Sequence, residues 1–214
     1  MSGQIIIIGA GGHAAVVADA LLAMGHDVIG CTDANSLRHG ERVCGAPVLG
    51  DDSELARYSV TSVRLANGLG GTRGEPLRHQ VQAHLQADGW RFCGVRHPTA
   101  VVSPFASVSA DAQLMAGCIV QPGAVIGAGC IINTGAIVEH DAVIGEFVHI
   151  APGAVVCGNA SIGDYSHVGA GAVVLQGMKL GSRVIVGSGA VVVASHPGQA
   201  TLVGVPARPR SPAK

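Results

Sequence analysis

The sequence predicts two folds in succession, an α/β domain in residues 1–96 and a three-sided parallel β-solenoid in residues 97–214. Three observations support this prediction. Short apolar segments alternate with helical ones before residue 96, and a six-residue repeat then runs through residues 100–195. Only seven of the chain's 27 charged residues (13 basic and 14 acidic) fall within that repeat.

The first domain alternates strands with helices, which is typical of a parallel sheet covered by helices. Its apolar runs predict strands at residues 4–9, 27–31, 47–49, 62–67 and 90–93. Helical spacing predicts helices at residues 11–24, 51–58 and 74–88, the last beginning with the Glu75-Pro76 pair that favours a first helical turn.

The repeat consists of sixteen hexads without an insertion, and the third position is Leu, Ile or Val in all sixteen, from Val102 to Val192. The first position is Ala in ten hexads. A six-residue period does not fit an α-helix, whose apolar stripe recurs every 3.6 residues. It fits a coil of eighteen residues with one hexad on each of three flat faces, and about five such coils stack to a height of roughly 25 Å. The third-position aliphatics should point inward, and the small residues should allow tight corners.

Composition excludes several classes of protein. The net charge of −1 provides no basic surface for nucleic acid or anionic lipid. Residues 112–138 carry no charge, yet five Gly, one Pro, two Gln and one Asn interrupt them, so membrane insertion is not expected. Six cysteines without a C-x-x-C pair predict reduced thiols, and the opening residues MSGQ lack a leader pattern, so we expect a cytoplasmic protein.

Several motifs together resemble one known family. They are IIIGAGGH at residues 6–13, NT at 133–134, VEHD at 138–141, HIAPGA at 149–154 and GVPAR at 204–208. The hexads resemble those of the hexapeptide-repeat acyltransferases, and nearly the whole chain resembles the PglD/NeuD-like bacterial sugar acetyltransferases. The resemblance implies a Rossmann-like nucleotide-sugar-binding domain followed by a left-handed parallel β-helix and a C-terminal tail.

The implied activity is transfer of an acetyl group from acetyl-CoA, without a metal, to the amino group of a nucleotide-linked 4-amino-4,6-dideoxy sugar. GDP-perosamine and UDP-linked 4-amino sugars both remain open as substrates. The alternatives are O-acetylation of a sialic acid, zinc chemistry like that of γ-type carbonic anhydrases, and a nucleotide-sensing scaffold that is not an enzyme. A homotrimer is expected, because the uncharged run leaves apolar surface that three prisms packed side by side would bury.

His140 is the candidate general base, since histidine titrates near neutrality and lies here between two carboxylates, Glu139 and Asp141. From spacing alone, a surface histidine beside two solvated acids is the more common case. The resemblance implies that His140 is the base and that Asp141 orients it, with Glu139 as the competing choice.

Two further histidines, His149 and His167, lie eighteen residues apart and should stack in adjacent coils. Three histidines near one edge could indicate zinc. The γ-type carbonic anhydrases instead join two histidines about five residues apart to a distant third, so we predict no metal. The resemblance places His149 at the acetyl-CoA site.

Glycines at the corners of the solenoid complete the predicted acetyl-CoA site. The resemblance makes the backbone N–H of Gly158 the donor to the thioester carbonyl, although the residue could simply be a corner glycine. It also implies that the Gly171-Ala172 and Gly189-Ala190 corners pass the pantetheine arm.

A glycine motif follows the first strand and satisfies G-x-G-x-x-[GA], with an aspartate 22 residues past its second glycine. This pattern indicates an NAD site, but the α/β segment is too short for two mononucleotide-binding halves. The resemblance implies a nucleotide-sugar site instead, although residues 69–72 are richer in Gly than the family pattern. The candidate substrate-binding residues are Gly9, Gly11, Gly12, His13, Asp33, Asn67 and Arg73.

Overall fold

The computed structural model describes residues 3–71 and 77–210, so Arg73 and the predicted helix start at Glu75-Pro76 lie outside the described residues. The chain divides into two compact units. One comprises residues 3–70 and 77–98, and the other comprises Gly71 with residues 99–210.

The first unit is built on a five-stranded sheet, because consecutive apolar residues fill strands that are buried on both faces. The strands are β1 (Gln4–Ile8), β2 (Asp27–Thr32), β3 (Arg42–Val43), β4 (Ala46–Gly50) and β5 (Val63–Asn67), in the order β3-β4-β2-β1-β5. All neighbours are parallel except the β3–β4 hairpin. The other elements are helices α1 (Gly12–Ala23) and α2 (Leu77–Ala87), 3₁₀ helices Ser36–Arg38 and Asp52–Arg57, and a short strand, Val95–Arg96.

Two predicted elements differ from the structure. The helix predicted at residues 51–58 is the 3₁₀ helix Asp52–Arg57, whose Asp51 side chain accepts a hydrogen bond from the Ser53 N–H. This cap serves α- and 3₁₀ helices alike, and the segment is 3₁₀ because its backbone bonds span three residues, as from the Tyr58 N–H to the Leu55 carbonyl. The strand predicted at residues 90–93 is replaced by an isolated bridge between Leu65 and Phe92, which pairs this segment with β5.

The second unit is a left-handed parallel β-helix, as predicted. Its two-residue strands pair with strands eighteen residues away, so that Ile119, for example, lies opposite Ile137. The first face contains Val101–Val102, Ile119–Val120, Ile137–Val138, Val155–Val156, Val173–Val174 and Val191–Val192. The second face contains Ser107–Val108, Val125–Ile126, Val143–Ile144, Ser161–Ile162 and Lys179–Leu180. The third face includes Gln113–Leu114, Ile131–Ile132, His149–Ile150, His167–Val168, Ile185–Val186, Thr201–Val203 and Arg208–Pro209.

The third-position aliphatics form the core of the β-helix, as expected; Val138, Ile150 and Val168 are 0% exposed. The first-position residues are mostly alanine. They lie in the core as well, and Ala136 and Ala154 are also fully buried. Small side chains at this position fill the narrow space beside the third-position column.

The corners turn at the sixth hexad position, where the backbone adopts the left-handed conformation. Eight glycines and five other residues do so, including Asp141 at φ 58° and Asn159 at φ 55°. A side chain costs about 1 kcal/mol in this conformation, and aspartate and asparagine tolerate it best. We call the corner that follows the first face, which includes residues 139–141 and 157–159, the first corner.

Candidate functional site

His140 and Asp141 form a hydrogen-bonded pair in the first corner. The His140 Nδ1 lies 2.9 Å from the Asp141 Oδ2, and both side chains are about half exposed, at 53% and 59%. The carboxylate accepts a hydrogen bond from Nδ1–H, which leaves Nε2 as the unprotonated, basic nitrogen of the neutral ring. A histidine held in this tautomer can accept a proton from a bound nucleophile.

Two glycines make room for this pair, one in the preceding coil and one in the following coil. A Cβ atom on Gly158 would lie 2.6 Å from the His140 Nε2 and 2.7 Å from its Cε1. A Cβ atom on Gly123 would collide with the Asp141 Oδ1. The missing side chains therefore create a slot in which the imidazole and the carboxylate lie between adjacent coils.

The Gly158 amide is a candidate donor to a developing negative charge. Gly158 is buried, and among the described residues none accepts a hydrogen bond from its N–H. Its carbonyl accepts the Gly177 N–H at 3.0 Å, which fixes the peptide in the coil. A fixed N–H donor on the residue next to a basic nitrogen can stabilise an oxyanion that forms beside the base.

Glu139 has a different neighbour. Burial, and then the negative charge of Glu139, raise the pKa of the Cys157 thiol. Glu139 and Cys157 occupy equivalent positions in adjacent coils. The carboxylate that contacts the His140 ring is that of Asp141, and Glu139 lies beside a thiol that stays protonated.

His149 and His167 lie in adjacent coils as predicted, with their ring centroids 4.8 Å apart in an edge-to-face arrangement. The Asn133 side-chain amide donates to the His149 Nε2 at 3.0 Å, so Nδ1 carries the proton and donates to the Gly71 carbonyl at 2.7 Å. Both nitrogens of His149 are therefore engaged by the protein. In the described part of the chain, no three His, Cys, Asp or Glu side chains come together as metal ligands.

The Gly-Ala corners differ from the expectation. Gly171 and Gly189 are left-handed, and the space where their Cβ atoms would lie is open. Ala172 and Ala190 instead lie in the core at 0% and 1% exposure. The N–H of each alanine donates within its own coil, to the carbonyl of Gly169 or Gly187, and each alanine C=O accepts an N–H from the preceding coil.

The predicted substrate residues of the first unit follow the carboxyl ends of parallel strands. Gly9 follows β1, Asp33 follows β2 and Asn67 ends β5. In the sheet, β2 lies on one side of β1 and β5 lies on the other, so the strand order reverses at β1. Open α/β sheets bind ligands at such a switch point. Gly9 adopts φ +93°, which favours glycine.

Helix α1 begins at this edge without a capping side chain or an acidic residue in its first turn. Unpaired N–H groups at a helix N-terminus favour anions, phosphate among them. The Asp33 Oδ2 accepts the Ala10 N–H at 3.0 Å, and its Oδ1 accepts the Asn35 N–H. The Asp33 carboxylate therefore fixes the backbone of the glycine loop at Ala10.

Asn67 is 3% exposed, and the protein engages both ends of its amide. It donates to the Arg78 carbonyl and to the Gln82 Oε1, and it accepts from the Leu69 N–H. These contacts fix the loop after β5. The substrate contact that the sequence suggests for Asn67 stays a prediction.

Comparisons with known proteins match both units. Residues 4–74 match the PglD N-terminal domain, and residues 141–176 match the six-repeat bacterial transferase hexapeptide. A histidine-to-asparagine variant of perosamine N-acetyltransferase from Caulobacter crescentus, in complex with CoA and GDP-perosamine, is 36% identical. The match covers 99% of each chain with a TM-score of 0.91. The chain belongs to the PglD-like sugar acetyltransferases.

A second PglD-like structure, the acetyltransferase domain of PglB from Neisseria gonorrhoeae in complex with acetyl coenzyme A, is 37% identical. That match covers 98% of this chain and 100% of the other, with a TM-score of 0.91. WeeI from Acinetobacter baumannii, at 24% identity and a TM-score of 0.80, shares the fold. No curated protein sequence matches the chain.

Sequence reasoning missed two contributors to the site of this PglD-like protein. Gly123 lies eighteen residues before Asp141, so the repeat length alone could have identified it. Asn133 belongs to a quoted motif, but its contact with His149 depends on side-chain orientation in the corner. Within the described ranges, no helix has both the length and the apolar character needed to cross a membrane.

Proposed function

We propose that the protein is an acetyl-CoA-dependent N-acetyltransferase that acts on the amino group of a nucleotide-linked 4-amino-4,6-dideoxy sugar. The observation that carries the proposal is the His140–Asp141 pair, whose Nε2 lies next to Gly158, a buried residue with no acceptor for its N–H among the described residues. This pairing supplies a base and an oxyanion donor at one point. The similarity to perosamine N-acetyltransferase over 99% of the chain supports the choice of an amino sugar.

Acetyl-CoA supplies the acetyl group as a thioester. The His140 Nε2 takes a proton from the sugar amine as its nitrogen attacks the thioester carbonyl carbon. The Gly158 N–H stabilises the negative charge that develops on the carbonyl oxygen. A C–N bond forms, the C–S bond breaks, and the thiolate of CoA takes up the proton from His140. Asp141 holds the ring in the reactive tautomer and stabilises the imidazolium.

The glycine loop of the first unit would bind the nucleotide sugar. Gly9, Gly11, Gly12 and His13 surround the uncapped start of α1, which suits a diphosphate. Asp33 would shape this loop, with contact to the base as a further role. Gly171 and Gly189 present open backbone along which a pantetheine arm could lie.

We also propose that the protein is a homotrimer and that its first face forms the subunit contact. The outward-facing residues of this face are all aliphatic, namely Val101, Ile119, Ile137, Val155, Val173 and Val191. The second and third faces include serine, lysine, glutamine and histidine at the equivalent positions. We also propose a cytoplasmic location, because acetyl-CoA and the nucleotide-linked sugar are both expected to be supplied there. Cell fractionation tests this location.

Thiol release from acetyl-CoA tests the activity. The purified protein is assayed with GDP-, UDP- and dTDP-linked 4-amino sugars, and with CMP-sialic acid and free sialic acid as hydroxyl acceptors. We expect release with one amino sugar and acetylated product by mass spectrometry. Turnover with sialic acid alone would replace N-acetylation by O-acetylation. If nucleotide sugars bind but no acceptor is turned over, the protein would be a sensing scaffold. Zinc found in the purified protein by metal analysis would instead support the carbonic anhydrase alternative.

A further inference from the structure

A polar cavity lies on the β-helix, apart from the His140 Nε2. It has a volume of about 430 Å³, and its polar lining consists of Ser161, Lys179, Ser195 and His196. Ser161 and Lys179 are neighbours in adjacent coils of the second face. After the last hexad the chain folds back onto this face, where the His196 N–H donates to the Lys179 carbonyl at 2.9 Å.

The hydrogen bonds around the cavity leave its side chains with donors to offer. The Ser195 Oγ accepts the Lys179 backbone N–H at 2.9 Å, so its own hydrogen remains available. The His196 Nδ1 accepts the Gly198 N–H at 3.3 Å, so the neutral ring carries its hydrogen on Nε2. Within the described part of the chain, neither the Ser161 hydroxyl nor the Lys179 ammonium has a protein partner, and no carboxylate lines the cavity.

Four donors and a positive charge, without a facing acid, suit a ligand that only accepts hydrogen bonds. We propose that Ser161, Lys179, Ser195 and His196 form a binding site for a phosphate group. A phosphate offers several acceptor oxygens to such a cluster, and lysine binds phosphate as a point charge.

The position of the site suggests where such a phosphate comes from, and this step rests on the proposed function. Ser195 and Asp141 both occupy the sixth hexad position of the first corner, three coils apart, which is about 14 Å along the axis. A thioester bound at His140 by an extended cofactor would direct phosphate groups along this edge. Free inorganic phosphate presents the same chemistry, so the test must separate the two sources.

The test measures binding by calorimetry to the wild-type protein, Lys179→Gln and Ser161→Ala, with inorganic phosphate, CoA and 3′-dephospho-CoA as separate ligands. Lys179 is exposed, so its substitution should leave the fold unchanged, as circular dichroism will verify. Arg91→Gln removes one positive charge at a different cavity and is the matched control.

We expect Lys179→Gln to weaken binding of phosphate, CoA or both about tenfold, with Ser161→Ala intermediate and Arg91→Gln unchanged. Loss for CoA but not for 3′-dephospho-CoA would assign the site to the 3′-phosphate, and equal loss for both would assign it to the diphosphate. Loss for inorganic phosphate alone would make it a free phosphate site. Unchanged binding of all three ligands would overturn the proposal. Because these measurements need no turnover, a failed acetyltransferase assay would leave their outcome intact.

Discussion

At the scale of single residues, the absence of two side chains positions the His140–Asp141 pair. Gly158 need not be glycine for conformational reasons, because its φ lies outside the left-handed range. What the site requires there is the space next to Nε2. At Gly123, both the φ of +75° and the space for the Asp141 carboxylate require glycine.

Gly158→Ala should therefore lower kcat while the protein remains folded. The added methyl group displaces the His140 ring, and a displacement of about 1 Å can cost on the order of 10²-fold in rate. Steady-state kinetics and thermal denaturation measure the two effects. In the double variant with His140→Ala, the alanine at 158 should have no further effect. Fully additive losses would show that Gly158 acts independently of His140.

His140→Ala should lower kcat by roughly 10²–10⁴, the usual contribution of a general base. Acetyl-CoA affinity, measured by calorimetry, should change little. His84→Ala is a matched control, because the His84 side chain is 77% exposed on α2. A loss smaller than about threefold would remove His140 from the role of base.

Asp141→Asn should reduce kcat about tenfold or more, since the amide stabilises the imidazolium less than a carboxylate does. Asparagine tolerates the left-handed backbone, so the corner should stay intact. Glu139→Gln is the matched control, and we expect its kcat to fall less than about threefold. The opposite ranking would make Glu139 the orienting carboxylate.

The sequence predicts residues of the site well where the repeat determines their neighbours. Gly158 lies eighteen residues after His140, so its place beside the histidine follows from the period. The period also determines which residues face inward, and this makes Ala172 and Ala190 core residues. The partners of Asn67 could not be predicted, because they depend on how the loop after β5 meets α2.

At the scale of elements, the sixteen hexads predict every strand of the three faces within residues 100–195. Apolar residues at fixed spacing leave one way to form a core. The short elements of the first unit were harder to predict. Three-residue backbone bonds make the segment after Asp51 a 3₁₀ helix, and an isolated bridge through Phe92 replaces the last predicted strand.

His167, which stacks on His149 on the third face, predicts a pH effect on stability. Burial lowers the pKa of His167 below 6.5, and in the described chain its buried Nδ1 has no partner. Below pH 6.5, His167 takes up a proton more readily in the unfolded chain than in the folded one. The free energy of unfolding should therefore fall as the pH drops through the lowered pKa of His167. Urea unfolding between pH 7.5 and 5 measures the slope.

The His167→Gln variant should show a shallower slope over the same pH range, while the exposed control His84→Gln keeps the wild-type slope. Equal slopes in His167→Gln and the wild type would mean that other groups determine the acid sensitivity.

At the scale of the whole molecule, we expect a trimer of about 64 kDa, three times 21.4 kDa, by light scattering. Val155→Lys places a charge in the middle of the first face and should yield monomers with little activity. Val125→Lys on the second face, at a residue 41% exposed, should remain trimeric and active. A fully active wild-type species of about 21 kDa would contradict both the assembly and a shared site.

The eighteen-residue coil also limits how the length of this chain could change during evolution. Inserting or deleting one whole coil preserves the alignment of faces and corners, whereas an insertion of any other length must loop out at a corner or move every later residue to a new position. Between Gly123 and Gly158 even a whole coil is forbidden, because it would separate the glycines from the pair they accommodate. Insertion or deletion of whole coils that keeps the site is therefore restricted to coils nearer the two ends of the β-helix.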